Sequence, residues 1–134
     1  IYTGEDTLSL HDALPISMAS LLDNLATLYT RTNRLTEAED LQRRAIVIIE
    51  KYHGHFSADT AISMNNLATT YSLEGKNDEA KRTSLEACAI AQKALGPNHP
   101  YTRRCLRVLD GILGKGLKQE PGVAPTPTTS QASP

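Results

Sequence analysis

"SLLDNLATLYT" (residues 20–30) and "AISMNNLATTYS" (residues 61–72) share the tetrapeptide Asn-Leu-Ala-Thr at an offset of 42. At the same offset Ala19 pairs with Ala61, Tyr29 with Tyr71, Glu37-Ala38 with Glu79-Ala80, Ala45 with Ala87, Ile48 with Ile90, Lys51 with Lys93 and Gly54 with Gly96. That makes twelve identities in the forty pairs starting at Met18 and ending at Ser57. Unrelated stretches of ordinary composition would share about two or three, so the chain contains an internal duplication.

Each copy reads as two helices. Leu22, Leu25, Ala26 and Tyr29 follow the i, i+3, i+4, i+7 spacing of an amphipathic helix, as do Met64, Leu67, Ala68 and Tyr71. Asn33 and Gly75 suit left-handed C-terminal caps. Thr36 and Glu39 have the spacing of a capping box for the next helix, and Asn77 or Asp78 can cap its counterpart. The second helices run through Ala38, Leu41, Ala45 and Ile48, and through Ala80, Ala87, Cys88 and Ala91, ending near Gly54 and Gly96. A third unit opens at Pro100, a residue suited to a first helical turn. It places Cys105, Leu109 and Ile112 or Leu113 on one face before glycines at 111, 114 and 116 end the order.

The flanks read differently. Residues 6–17, "DTLSLHDALPIS", match nothing in the repeat and resemble a translated sequencing adapter, so residues 1–17 are set aside as non-native. Residues 115–134 are rich in Pro, Thr, Ser and Gly and are expected to be a disordered tail. Between them lie unit one (18–59), unit two (60–101) and a partial third unit or capping helix (102–114). The formal charge of −1 arises from 14 basic and 15 acidic residues. Without Glu5, Asp6 and Asp12 there are 14 against 12, too small a bias to argue for nucleic acid or an anionic membrane surface. No apolar run is long enough to span a bilayer. Cys88 and Cys105 stand far apart in sequence and read as buried, reduced thiols of a cytoplasmic protein.

A helix pair with Leu-Ala, a Tyr three residues after the Ala, an Ala at the start of the second helix and another seven residues later resembles the tetratricopeptide repeat. The likeness covers Met18 to about Leu113. The 42-residue period, "NNLATTY" and the "ALGPNHP" junction resemble in particular the repeats of kinesin light chains. Gln42 and Ser84 depart from the pattern where the family has a bulky residue, "YHGHFSAD" replaces the usual junction, and Val108, Asp110 and Leu113 replace Asn, Ala and Tyr in the third unit. The resemblance implies an all-α right-handed superhelix of about two and a half antiparallel helix pairs, with the first helices lining a concave groove.

Ser20, Asn24, Thr27 and Arg31 form one stripe along the first helix, matched in unit two by Ile62, Asn66, Thr69 and Leu73. By the resemblance these stripes face the groove. Asn24 and Asn66 can pair with the main chain of a peptide, because an amide both donates and accepts, or they can tie neighbouring helices together. Thr27, Arg31, Thr69 and Arg104 complete the peptide-binding candidates; Arg104 and Arg107 can pair with acidic ligand groups or form a solvated basic face. His53, His55 and His99 lack the further ligands a metal site needs, and Glu39 with Arg43 reads as an ordinary surface pair. No phosphate loop or nucleophile with a His and acid partner is present. The expected function is therefore a non-enzymatic protein-interaction module for a peptide or protein partner, without cofactor, metal, nucleic acid, membrane or small-molecule substrate. A second hypothesis makes it the C-terminal sensor repeats of a larger signalling ATPase or other regulated enzyme. With so few units, residues 18–114 are expected to be marginally stable alone.

Overall fold

The computed structural model describes residues 4–118, with side chains over 15–114. Among the described residues there are five helices and no strand: α1 (Gly4–Arg31), α2 (Leu35–His53), α3 (Ala58–Glu74), α4 (Asn77–Leu95) and α5 (Pro100–Lys118). Each helix packs on its neighbours in sequence, and α3 also meets both α1 and α5. This is an all-α solenoid of helix pairs. Its geometry repeats at the offset found in the sequence: α2 and α4 begin 42 residues apart, as do α3 and α5.

The turns within each pair show why. Asn33 and Gly75 both take positive φ, 63° and 81°. Around them Arg34 N–H donates to Tyr29 O (2.8 Å) and Asn33 N–H to Thr30 O (3.2 Å), and Lys76 N–H donates to Tyr71 O (2.9 Å) and Gly75 N–H to Ser72 O (3.3 Å). Both are Schellman closures, which satisfy the last carbonyls of the first helix and turn the chain back. The second helices start immediately afterwards. Their N-cap residues are Arg34 and Lys76, and neither makes a side-chain cap bond. The capping box expected of Thr36 and Glu39 is therefore not formed: Leu35 already begins α2, placing Thr36 inside its first turn. Arg34 instead pairs with Glu37 and stacks 4.1 Å from the Tyr29 ring. Glu39 does pair with Arg43 (3.1 Å), but it is only 14% exposed and also takes Lys76 Nζ (2.5 Å) from the next turn. That expected surface pair belongs to an inter-repeat network.

Alanine lets the helices approach. Ala26, Ala38, Ala45, Ala61, Ala68, Ala80, Ala87 and Ala91 are all fully buried or nearly so, and Met64, Leu67, Ile90 and Leu109 fill the space between them. In α2 the buried stripe is Ala38, Gln42, Ala45 and Ile49, one residue displaced from the expected Leu41 and Ile48, which are half-buried. In α5 it is Ile112 that is buried.

The two ends depart from expectation. α5 does not stop at its glycines but continues to Lys118, so the boundary expected at 114 falls four residues early. Burial of Leu109 and Ile112 against α3 and α4 outweighs the roughly 1 kcal/mol that each helical glycine costs. The rest of the expected tail, 119–134, lies outside the described residues. At the other end α1 runs back through residues 6–17, with Pro15 inside it. A formed helix propagates more cheaply than it nucleates, so α1, once packed on α2, extends back through this segment.

Register explains the exposure of α1. Ser63, Leu67 and Thr70 of α3 and Cys105, Leu109 and Ile112 of α5 occupy equivalent positions and are all buried by the preceding helix pair. The α1 equivalents Leu21, Leu25 and Leu28 are 63%, 39% and 53% exposed, because no described pair precedes them. No described helix is long and apolar enough to cross a membrane.

Candidate functional site

The inner helices α1, α3 and α5 share a run of cavities. One of about 290 Å³ lies between α1, the end of α2 and α3, and Ser20, Asp23, Asn24, Thr27, Ser63 and Asn66 are among its lining residues. A second, of about 190 Å³, is lined by Thr27, Arg31, Gln42, Asn66, Thr69 and Arg104 among others. Thr27 and Asn66 belong to both, so all six residues singled out in the sequence meet along one surface. A third cavity continues it between α3 and α5, sharing Thr69 and Val108 with the second.

What these side chains can offer differs. Thr27 Oγ1 donates to Asp23 O (2.9 Å) and Thr69 Oγ1 to Asn65 O (3.0 Å). Their hydroxyl hydrogens are committed to their own helices, leaving lone pairs for a ligand. Asn24 is exposed and Asn66 half-buried, and neither amide is hydrogen-bonded to another described residue. Arg31 and Arg104 present exposed guanidinium groups at the second cavity.

Tying the helices together falls to the preceding residue in each repeat, which sequence reasoning missed. Ser63 Oγ donates to Asp23 Oδ2 (2.5 Å), bridging α1 and α3. One repeat later Cys105 Sγ donates to Asn65 Oδ1 (3.4 Å), bridging α3 and α5. Asp23 and Asn65 are equivalent positions, and so are Ser63 and Cys105. The adjacent Asn65-Asn66 pair thus divides two tasks: both line the second cavity, but Asn65 is buried and bonded across to α5, whereas Asn66 also lines the first cavity with its side-chain amide unbonded. Thr30 and Thr70 add a third strut, Oγ1 to Oγ1 at 3.2 Å.

Asp23 is the less comfortable strut. Burial raises its carboxyl above the ordinary carboxylate range, the Ser63 hydrogen bond pulling the other way more weakly, and its Oδ1 is buried without a partner among the described residues. A raised folded-state value means stabilisation fully present below the unfolded value, lost as pH rises through the folded one. Asp23→Asn, which reproduces Asn65, is therefore expected to raise the melting temperature by a few degrees at pH 7. Thermal melts from pH 7 downward should show the advantage shrinking as the carboxyl protonates; a lower melting temperature for the variant at pH 7 would contradict this.

The histidines are otherwise engaged. His53 Nδ1 meets Asp59 Oδ2 at 2.6 Å, and His55 spans Glu50 (2.6 Å) and Glu86 (3.1 Å). His99 Nδ1 accepts from Tyr101 N–H (3.1 Å) at the start of α5, the place where Ser57 Oγ accepts from Thr60 N–H (3.1 Å) at the start of α3. Among the described residues no group of three or more His, Cys, Asp or Glu could hold a metal ion.

Comparison with known families gives a tetratricopeptide repeat match over residues 17–93. The chain belongs to the tetratricopeptide repeat family. Similar curated proteins include the clustered mitochondria protein homologs of Aspergillus oryzae and Aspergillus terreus, each 32% identical over 99 residues, and that of Emericella nidulans, 31% identical over 99 residues. In each case the match takes in 71% of this chain and 8% of the relative, so the chain spans about a twelfth of their length. Tetratricopeptide repeats are typically non-enzymatic interaction modules. The two departures from the family's pattern, Gln42 and Ser84, are both buried, 1% and 0% exposed, and Gln42 Oε1 and Ser84 Oγ have no hydrogen-bond partner among the described residues.

Proposed function

We propose that this chain is a protein-interaction module that holds an extended peptide segment of a partner in a groove along α1, α3 and α5. The observation that carries the reading is the pairing of Asn24 and Asn66, whose amides lie free along adjoining cavities while Asp23 and Asn65 take the structural load. Free amides can donate to peptide carbonyls and accept from peptide N–H groups whatever the side chains are. Arg31 and Arg104 suit acidic groups on the ligand.

The 42-residue period and "NNLATTY" support the kinesin light chain-like subtype of the repeat. The exposed Leu21, Leu25 and Leu28, together with the small fraction of each relative that is matched, support reading the chain as one stretch of a longer repeat-bearing protein. The relatives' shared name does not favour the signalling-ATPase alternative.

Panning a random peptide display library against the immobilised 134-residue chain supplies a probe. Calorimetric titration of a selected peptide should show the double variant Asn24→Ala/Asn66→Ala binding about tenfold or more weakly, since each lost hydrogen bond is worth roughly 0.5–1.5 kcal/mol. The variant should melt like the parent, because neither amide holds the fold. Unchanged affinity would contradict the reading.

A further inference from the structure

Cys88 of α4 and Cys105 of α5, seventeen residues apart in sequence, meet in the core with Cys88 Sγ donating to Cys105 Sγ at 2.9 Å. Both are buried, free thiols, as read from the sequence; their separation along the chain did not show that the packing of α4 and α5 makes them neighbours. The pair is essentially unexposed, at 3% and 0%, surrounded by Ala61, Met64, Ala87 and Leu109. They are the only cysteines in the chain. A disulfide has its sulfurs about 2.05 Å apart, so closing the bond asks for about 1 Å of movement.

We infer that Cys88 and Cys105 form an oxidation site, which a small-molecule disulfide such as oxidised glutathione converts to an intramolecular disulfide pinning α5 to α4. The thiolate of one cysteine attacks a glutathione sulfur, breaking that S–S bond and releasing one glutathione. The second cysteine then attacks the protein sulfur of the mixed disulfide and expels the other. Two protons leave the protein with the two reduced glutathiones; the cysteines are oxidised and glutathione disulfide is reduced. Nothing in the step depends on the groove binding a peptide.

Access comes from α5. It is the last described helix, packed among the described residues on α3 and α4 alone, and it carries Gly111, Gly114 and Gly116, each of which weakens a helix, so it belongs to the low-stability end of the described fold. Burial pushes both thiols above their ordinary range, Cys105 furthest. Attack on an oxidant therefore waits for α5 to open, because the thiolate is the reactive form. Reclosure brings the second sulfur beside the first, which favours the intramolecular bond over a lasting glutathione adduct. The bond also fixes the backbone beside Arg104.

The test is to incubate the 134-residue chain with excess oxidised glutathione in native buffer until the α5 amides have fully exchanged in deuterium, then to take intact masses and tryptic maps. The expected result is the loss of two hydrogens, peptide 83–93 linked to 105–107, and a melting temperature raised by roughly 5–15 °C, all reversed by dithiothreitol. Cys88→Ser and Cys105→Ser should show neither the linked peptide nor the rise. Two intact thiols after complete exchange, a stable glutathione adduct in the parent, or a cross-link between chains would each overturn the proposal.

Discussion

Ile90→Ala is expected to lower the melting temperature by at least about 10 °C. Ile90 is the largest fully buried side chain of the core, 2% exposed on α4 among Ala61, Ala87, Cys105 and Leu109. Truncating such a residue costs about 2–5 kcal/mol, the lost transfer energy plus the cavity left behind, and in a chain this short each kcal/mol moves the melting temperature by roughly 4–8 °C. Repeat proteins draw their stability from contacts between neighbouring units, and Ile90 lies where α4 meets α3 and α5. Leu85, on the same helix but 48% exposed, is the control: Leu85→Ala should change stability by no more than about 0.5 kcal/mol. Circular dichroism melts of the two variants decide it. Equal, small effects would mean that the core is not where the burial pattern puts it.

Gly96→Ala is expected to cost about 1–3 kcal/mol although there is ample room for the methyl group. A Cβ at this position would meet nothing within 4 Å, so crowding contributes nothing. The backbone decides: φ 92° with ψ 159° lies in a region essentially restricted to glycine. Gly54, its equivalent one repeat earlier, has φ 86° and ψ 159°, so the junction between units is built twice in the same strained form. Gly111 in α5 is equally open around its Cβ but helical, so Gly111→Ala should stabilise by up to about 1 kcal/mol. Two alanines placed in equal space should shift denaturant midpoints in opposite directions. A shift in the same direction for both would show that the Gly96 conformation is not required.

The parts of the fold legible in the sequence were those set by local chemistry. The amphipathic spacing of Leu67, Ala68 and Tyr71 and the left-handed caps at Asn33 and Gly75 depend on residues about a turn apart, and the repeat at 42 shows because each copy carries the same local pattern. The capping box failed because Arg34 follows the Schellman turn so closely that α2 has begun before Thr36, a matter of two residues that spacing alone cannot resolve. Leu25 belongs to the right stripe yet stays partly exposed, because its burial depends on a preceding helix pair and not on its own helix. Cys88 and Cys105 illustrate the long-range limit: their contact follows from how α5 crosses α4, and nothing in their separation along the chain announces it. Within the site, the stripe of Asn24, Thr27, Asn66 and Thr69 was readable from helical periodicity. The division of labour between Asn65 and Asn66 was not, since adjacent asparagines differ only in which way the helix turns them. The 42-residue offset did hold the clue, since Asp23 aligns with Asn65.

The groove along α1, α3 and α5 is the claim that most needs a direct measurement. Titrating the isotopically labelled 134-residue chain with a display-selected peptide, and following backbone and side-chain amide shifts by NMR, locates the contact surface without substituting any residue. The account predicts that the largest changes fall on Asn24, Thr27, Arg31, Asn66, Thr69 and Arg104, with the Asn24 and Asn66 side-chain amides among them. Changes concentrated instead on the outer faces of α2 and α4, around Val47 and Leu85, would contradict it.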